Sequence, residues 1–444
     1  MIKLYKSLFL NKRFYILISI ITALFFIGQY IGFLFYVALS MLILFVGAVL
    51  YDIILLYVNK NRLEVSRELG GRLSNGDDNP IIIKVRNNAD QNFDCIIIDE
   101  IPEQFQMREN EINFQIASKE SLTLTYLLRP TERGEYKFSN INLFISSKVG
   151  LVQCKIVFQA EQSVVVLPSF LQLKKFAFLA ISNRLDEYGV KKIRKRGRSL
   201  EFEQIKEYTT GDDYRAINWK ASAKRSNLMI NQYQDERSQN IINIIDKGRN
   251  MEMPFEGMSL MDYAINSSLI LSNIAVQKHD NAGLITFSKE IDTIQLPSKK
   301  KTQISNLQHS LYTQKTDFQE PNYEKLFLAL RHYIKQRSLL LIYTNFETVS
   351  NMKRNLKYIQ AIAKYHVVVV IIFENTEISR ILTEKAESKS EIYRKVTAEK
   401  YAQEKANIVE LFNSMGIHTV LTKPNDLTVN TINKYLEIKS KRLV

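Results

Sequence analysis

Hydrophobic positions change their spacing three times along the chain. From Phe14 to Val58 they are nearly continuous, with Asp52 as the only charge. That run is too long for one membrane span and suits two helices of roughly 20 residues each. It predicts helices over about Phe14 to Gly28 and Phe33 to Val58, with Gly28, Gln29, Tyr30 and Gly32 supplying the turn. A second apolar stretch follows the first at once and no small-residue cleavage pattern precedes a soluble region, so a hairpin fits better than a cleaved leader.

Between residues 62 and 168 the pattern shortens into β-branched runs such as PIIIKVRNN, FDCIIIDEIP and SLTLTYLLRP, punctuated by Asn87-Asn88, Pro102 and Pro130. Strands with turns at this spacing predict an antiparallel β-sandwich-like domain. Residues 169–238 form a connector, and LMINQYQDE at its end is expected to be a strand in a hairpin with NIINIID. From residue 239 to 444 apolar runs of strand length (NIINIID, NAGLITFS, SLLLIYTNFE, VVVVIIFEN, IHTVLTKP) alternate with amphipathic helical stretches. That alternation predicts an α/β domain with a mostly parallel sheet and helices on both faces.

The connector holds the densest chemistry. GRSLEFEQIKEYTTGDDYRAINWKASAKR, from Gly197 to Arg225, carries Glu201, Glu203, Glu207, Asp212 and Asp213 beside Arg198, Arg215, Lys220, Lys224 and Arg225, with the sole tryptophan, Trp219. Phe202, Ile205 and Tyr208 recur at threes and predict one face of a short helix ending near Thr210. Gly211 then allows a turn, and Asp212 or Asp213 would cap a second helix running to Ala223. Charges of both signs suggest an ion-pair lattice around Trp219. The bland alternative is a lattice that only fastens a linker to the next domain.

This segment resembles the signature of a bacterial membrane-anchored family, domain of unknown function 58. Arg198, Glu201-Phe202, Glu207-Tyr208, Gly211-Asp212-Asp213, Arg215, Ile217, Trp219-Lys220 and Ser222-Ala223 stand in its order and spacing. Asn218 departs from the aspartate often found there. The resemblance implies a transmembrane hairpin, a β-rich part, this signature as a binding segment, and a von Willebrand factor A-like (Rossmann-like) domain. It also implies partnership with a MoxR-type AAA+ ATPase, in the assembly or maturation of envelope complexes.

Charge sets orientation. Lys3, Lys6, Lys12 and Arg13 precede the first apolar stretch and Lys60, Arg62 and Arg67 follow the second, so residues 1–13 and the soluble body are expected in the cytoplasm, held at the bacterial inner membrane. Cys95 and Cys154 lie in apolar strand-like contexts, which suits reduced core thiols. The net charge of +14 and the run Lys191 to Arg198 admit an anionic membrane surface as partner. Nucleic acid is the poorer fit, since no stacking aromatics accompany the run.

In von Willebrand factor A-like domains a metal is held at the carboxyl ends of the strands by Asp-x-Ser-x-Ser and later loops. Here the matching stretch is Asp246-Lys247-Gly248-Arg249-Asn250, and the later position falls at Thr344 or Asn345. Gly248 offers no side-chain oxygen, Asn250 only a neutral carbonyl, and two cations flank them, so no metal and no cofactor is expected. Asp246 is instead expected to pair with a base or cap the following turn. The histidines (279, 309, 332, 366 and 418) show no HExxH spacing, and GxSxG and GxxxxGK[ST] are missing. The chain is therefore expected to be a membrane-anchored protein-interaction module, not an enzyme. The alternatives are a metal-independent or acid-cluster hydrolase, and nucleic-acid or anionic-lipid binding through the basic connector.

Overall fold

The computed structural model describes residues 7–107, 110–169, 171–173, 176, 201–209, 212, 214, 217–225, 227–234, 238–385, 388–441 and 443. The chain divides into two compact units, Met1–Phe170 and Leu171–Val444.

The first unit begins with strand β1 (Leu8–Leu10), followed by two apolar helices, α1 (Lys12–Gly28) and α2 (Gly32–Asn59). Gly28 ends α1 where a Cβ would stand 2.8 Å from the Phe35 backbone nitrogen, so only glycine permits this close approach. Phe14 packs on Phe45 with ring centroids 5.1 Å apart. Most of the remaining apolar surface of the two helices, including Phe26, Phe33, Tyr36, Leu44 and Ile54, is exposed. Among the described residues one helix, Gly32–Arg62, is long and apolar enough to cross a membrane, with a mean hydropathy of 2.6 over an 18-residue window.

The strands of this unit follow in order: β2 (Leu63–Glu68), β3 (Arg72–Ser74), β4 (Asn79–Asn87), β5 (Phe93–Asp99), β6 (Glu111–Ile116) and β7 (Ser121–Leu128). After them come β8 (Gly134–Phe138), β9 (Ile141–Ser146), β10 (Val152–Phe158) and β11 (Gln162–Leu167). They form sheets ordered β1-β10-β9-β5-β6, β2-β4-β7 and β3-β11-β8. All their pairings are antiparallel except β3 with β11. Alternate residues of β4 and β5, among them Ile81, Ile83, Val85, Cys95 and Ile97, are buried in the apolar interior. Each such side chain contributes about 1.5–3 kcal/mol.

Two polar anchors run through that interior. Arg67 Nη1 donates to Asp99 Oδ1 at 2.7 Å and Tyr126 donates to Asp99 Oδ2 at 2.5 Å. The guanidinium also reaches the Ser139 and Ala160 carbonyls and lies 4.9 Å from the Phe138 ring centroid. The second is Asp52, fully buried within α2, whose Oδ2 accepts the Leu151 and Val152 amides at 3.0 and 2.9 Å. Beside it, the Asn11 amide donates to the Leu151 carbonyl at 3.1 Å. The start of α1 and the later part of α2 are thereby both fastened to the chain at the start of β10.

In the second unit β12 (Glu201–Glu207) and β13 (Met229–Gln234) make a two-stranded antiparallel sheet, with helix α3 (Trp219–Arg225) between them. This corrects two expectations. The stretch from Glu201 is a strand and not a helix, and β13 pairs with β12 and not with the strand that follows it. The apolar spacing of three has a physical cause, since the register shifts between Phe202 and Gln204. The extra residue of the bulge sets positions 202 and 205 opposite Tyr233 and Asn231, two apart on the partner strand and so on one face.

The core of this unit alternates β14 (Asn240–Asp246), β15 (Pro254–Phe255), β16 (Met258–Ser259), α4 (Leu260–Gln277), β17 (Asn281–Phe287), β18 (Ile291–Ser298), α5 (Thr302–Tyr312) and α6 (Tyr323–Tyr333). It continues with β19 (Leu339–Tyr343), α7 (Val349–Ala363), β20 (Val367–Phe373), α8 (Thr376–Thr383), α9 (Lys389–Ser414), β21 (His418–Thr422) and α10 (Leu427–Ser440). Six strands form one sheet ordered β18-β17-β14-β19-β20-β21, parallel except for β18 at its edge. Ile241 and Ile245 point into a core shared with α4, α5 and α10, while Ile242 and Ile244 point into one shared with α6, α7 and α9. Burial on both faces is why these strands are continuously apolar. The strand order reverses between β14 and β19, which puts the crevice of this doubly wound sheet beyond their carboxyl ends.

Candidate functional site

β14 ends on Asp246 and β19 leads into Thr344 and Asn345, so the sheet delivers these side chains to the crevice. Asp246 is buried, with Oδ1 accepting the Gly248 amide at 2.7 Å and Oδ2 accepting the Thr344 hydroxyl at 2.7 Å. The first bond caps the following turn. Thr344 in turn accepts from the Tyr323 hydroxyl at 2.9 Å. All these donors are neutral, and burial pushes the Asp246 carboxyl up to about 6. Gly248 has no room for a side chain, because a Cβ would lie 2.9 Å from the Gln319 carbonyl and 3.0 Å from Asp246 Oδ1. The expected side-chain oxygen at this position is thus excluded by packing as well as by residue type.

Asn250 does not turn toward Asp246. Its Nδ2 donates to the Asn345 carbonyl at 3.1 Å, and Asn345 Nδ2 returns a bond to the Asn250 carbonyl at 3.4 Å. Asn345 Oδ1 accepts from the buried Lys405 ammonium at 2.5 Å. Lys247 pairs with Asp292 at 3.0 Å. Among the described residues no group of three or more His, Cys, Asp or Glu side chains could hold a metal ion.

Lys405 was not foreseen as part of a site. The signal was available, since Ala398, Tyr401, Lys405, Ile408 and Phe412 fall at the i, i+3, i+4, i+7 spacing of a buried helical stripe, with lysine as the exception. Burial lowers its ammonium pKa to about 8, opposed by the Glu347 carboxylate. Beside it opens a cavity of about 460 Å³ at the carboxyl ends of β19 and β20, lined by Phe255, Asn345, Phe373, Glu374, Tyr401 and Lys405 among others.

The connector is built differently. Trp219 is 71% exposed at the start of α3, and Tyr214 is 67% exposed nearby in sequence. Among the described residues the bonds around this segment are local, and the expected lattice falls largely on residues outside them. Asp212 accepts from the Thr209 hydroxyl at 2.8 Å, the Thr209 amide at 3.1 Å and Lys206 Nζ at 3.0 Å, which together hold its carboxyl below the usual range. It caps no helix. Helix α3 is capped by Asn218, whose Oδ1 accepts the Ala221 amide at 3.0 Å and whose Nδ2 donates to Asn231 at 2.8 Å. Asparagine caps a helix as well as aspartate does. Glu207 accepts from Asn227 at 3.3 Å, the Tyr208 amide donates to the Leu228 carbonyl at 2.8 Å, and Lys220 is exposed. Arg198, Gly211, Asp213, Arg215 and the basic run from Lys191 lie outside the described residues, as does the side chain of Glu201.

A model of the family described as protein of unknown function DUF58 matches residues 204–381. The match begins inside β12, takes in the exposed tryptophan and Asp246, and ends in α8. An uncharacterized Bacillus subtilis protein, YeaD, is 26% identical over 175 residues, which is 39% of this chain and 41% of that relative's length. Among solved structures, the conserved hypothetical protein BatB of Bacteroides thetaiotaomicron aligns over 46% of this chain and 100% of its own at 14% identity, with a TM-score of 0.31. The CARDB domain of a Pyrococcus furiosus protein aligns over 23% of this chain and 91% of its own at 16% identity, with a TM-score of 0.17.

Proposed function

We propose that this chain is a membrane-anchored protein-interaction module, with α1 and α2 as a two-span hairpin, the body on the cytoplasmic side, and a von Willebrand factor A-like second unit that meets the partner. The observation that carries the reading is the uncovered Trp219. An indole left largely in water forgoes burial, and tryptophan is the residue most enriched at the energetic centres of protein interfaces. The bilayer reading is supported by the outward apolar faces of α1 and α2 and by the cations flanking them. From Gly32 to Tyr51 the second helix covers roughly 20 residues, about 30 Å, before Asp52 meets the β-sheet unit. The resemblance in the connector makes a MoxR-type AAA+ ATPase the first partner to test.

The hydrolase alternative is disfavoured by Asp212 itself. A general acid needs a pKa near the working pH, and this carboxyl is held low and solvated. For the divalent ion, the geometry supports the reading that none binds stably: Asp246 spends both oxygens on the chain, and Asn250 is turned to Asn345.

The test is affinity capture from native bacterial membranes with wild type and Trp219→Ala. An ATPase is expected with wild type and is expected to be lost from the variant, with thermal stability unchanged. Equal recovery by both proteins removes the tryptophan as docking residue.

A further inference from the structure

The cavity beside Lys405 joins two features that are rarely found together. One wall is apolar, formed by Met253, Phe255, Leu260 and Phe373, and at another stands the ammonium of Lys405, a side chain only 5% exposed. An ammonium has three donors. Among the described residues Lys405 Nζ meets one acceptor, Asn345 Oδ1, and otherwise lies 5.9 Å from the Tyr401 ring centroid. A buried cation with one neutral acceptor is costly to keep, and a well-placed anion is what would offset that cost.

The carboxylates that also line the cavity do not serve as that anion. Glu374 accepts from Ser379 at 2.9 Å and Glu256 from Asn425 at 3.0 Å, while Glu377 is exposed at the first turn of α8. Glu347 acts on Lys405 at longer range and makes no ion pair with it. At about 460 Å³ the space falls in the range of small-molecule sites.

We infer that this cavity binds a monocarboxylate with an apolar body, the carboxylate meeting the Lys405 ammonium and the body lying against Met253, Phe255, Leu260 and Phe373. The oxygens of the ligand take the donors that Asn345 leaves open, and the apolar wall rejects small hydrophilic acids. Place and chemistry both differ from docking at Trp219, so either can fail while the other holds.

The experiment uses the full chain in nanodiscs with hexanoate as probe, and hexan-1-ol and hexylamine as neutral and cationic controls. Hexanoate is expected to raise the melting temperature of wild type, with no rise for Lys405→Met and a partial rise for Lys405→Arg. A second readout needs no variant: hexanoate is expected to slow acetylation of Lys405 by acetic anhydride severalfold, measured by mass spectrometry, while hexan-1-ol leaves the rate unchanged. Absence of any hexanoate effect on wild type, an equal melting shift in Lys405→Met, or equal protection by hexan-1-ol overturns the inference.

Discussion

The two ends of the six-stranded sheet each bury a carboxylate, and they treat it in opposite ways. At the amino end Asp280 precedes β17 and is saturated: it accepts the Gln239 amide at 3.0 Å, the Tyr435 hydroxyl at 2.6 Å and Lys439 Nζ at 2.7 Å. At the carboxyl end Asp246 meets, among the described residues, only an amide and a hydroxyl, and one buried cation of that end, Lys405, is bonded to an asparagine. The amino end is a closed staple tying α10 to the sheet. At the carboxyl end Asp246 and Lys405 are held without counter-ions among the described residues, which sacrifices stability at the place where doubly wound sheets bind ligands.

Substitutions at the two ends should therefore have opposite signs. The largest effect is expected for Lys439→Met, which strands Asp280 in the interior and destabilises the second unit by about 3–5 kcal/mol in guanidinium titrations. Adding Asp280→Asn should recover much of that loss. A smaller change is expected for Asp246→Asn, and it is a gain. The folded carboxyl, raised from 3.8 to about 6, contributes stability that is complete below pH 4 and lost as pH rises through 6. At pH 7 the amide should be more stable than wild type by up to about 3 kcal/mol, at ~1.4 kcal/mol per pKa unit, and the two should converge in acid. A loss at pH 7 comparable to that of Lys439→Met would erase the distinction between the ends. Smallest is Trp219→Ala, expected to move stability by no more than about 0.5 kcal/mol, because an exposed side chain away from any cap or network contributes little to folding.

Much of this architecture was legible in the chain. The apolar stretches that became α1 and α2, the β-branched runs of the first unit, and the alternation of strands and helices after residue 239 each rest on a period the residues display directly. The connector misled because a β-bulge reproduces a helix-like spacing of three, and because the pairing of β12 with β13 is settled across the intervening α3 and not by neighbouring residues. At the crevice Asp246 and the failing positions Gly248 and Asn250 were visible as a local motif. The close packing that keeps Gly248 bare comes from Gln319 and Pro321, far along the chain. Lys405 was visible only as one wrong letter in an apolar stripe, and its partner Asn345 lies on another element altogether.

The closed amino end also supplies the control for the docking claim. Tyr365, 56% exposed in the turn before β20, belongs to that end, whereas Trp219 belongs to the connector. The photo-crosslinking residue p-benzoylphenylalanine is placed at one position or the other in the full chain, and native membranes are irradiated. Adducts to a discrete partner from position 219 and none from position 365 are the result the account predicts. Adducts from position 365 alone, or the same adducts from both, would contradict it.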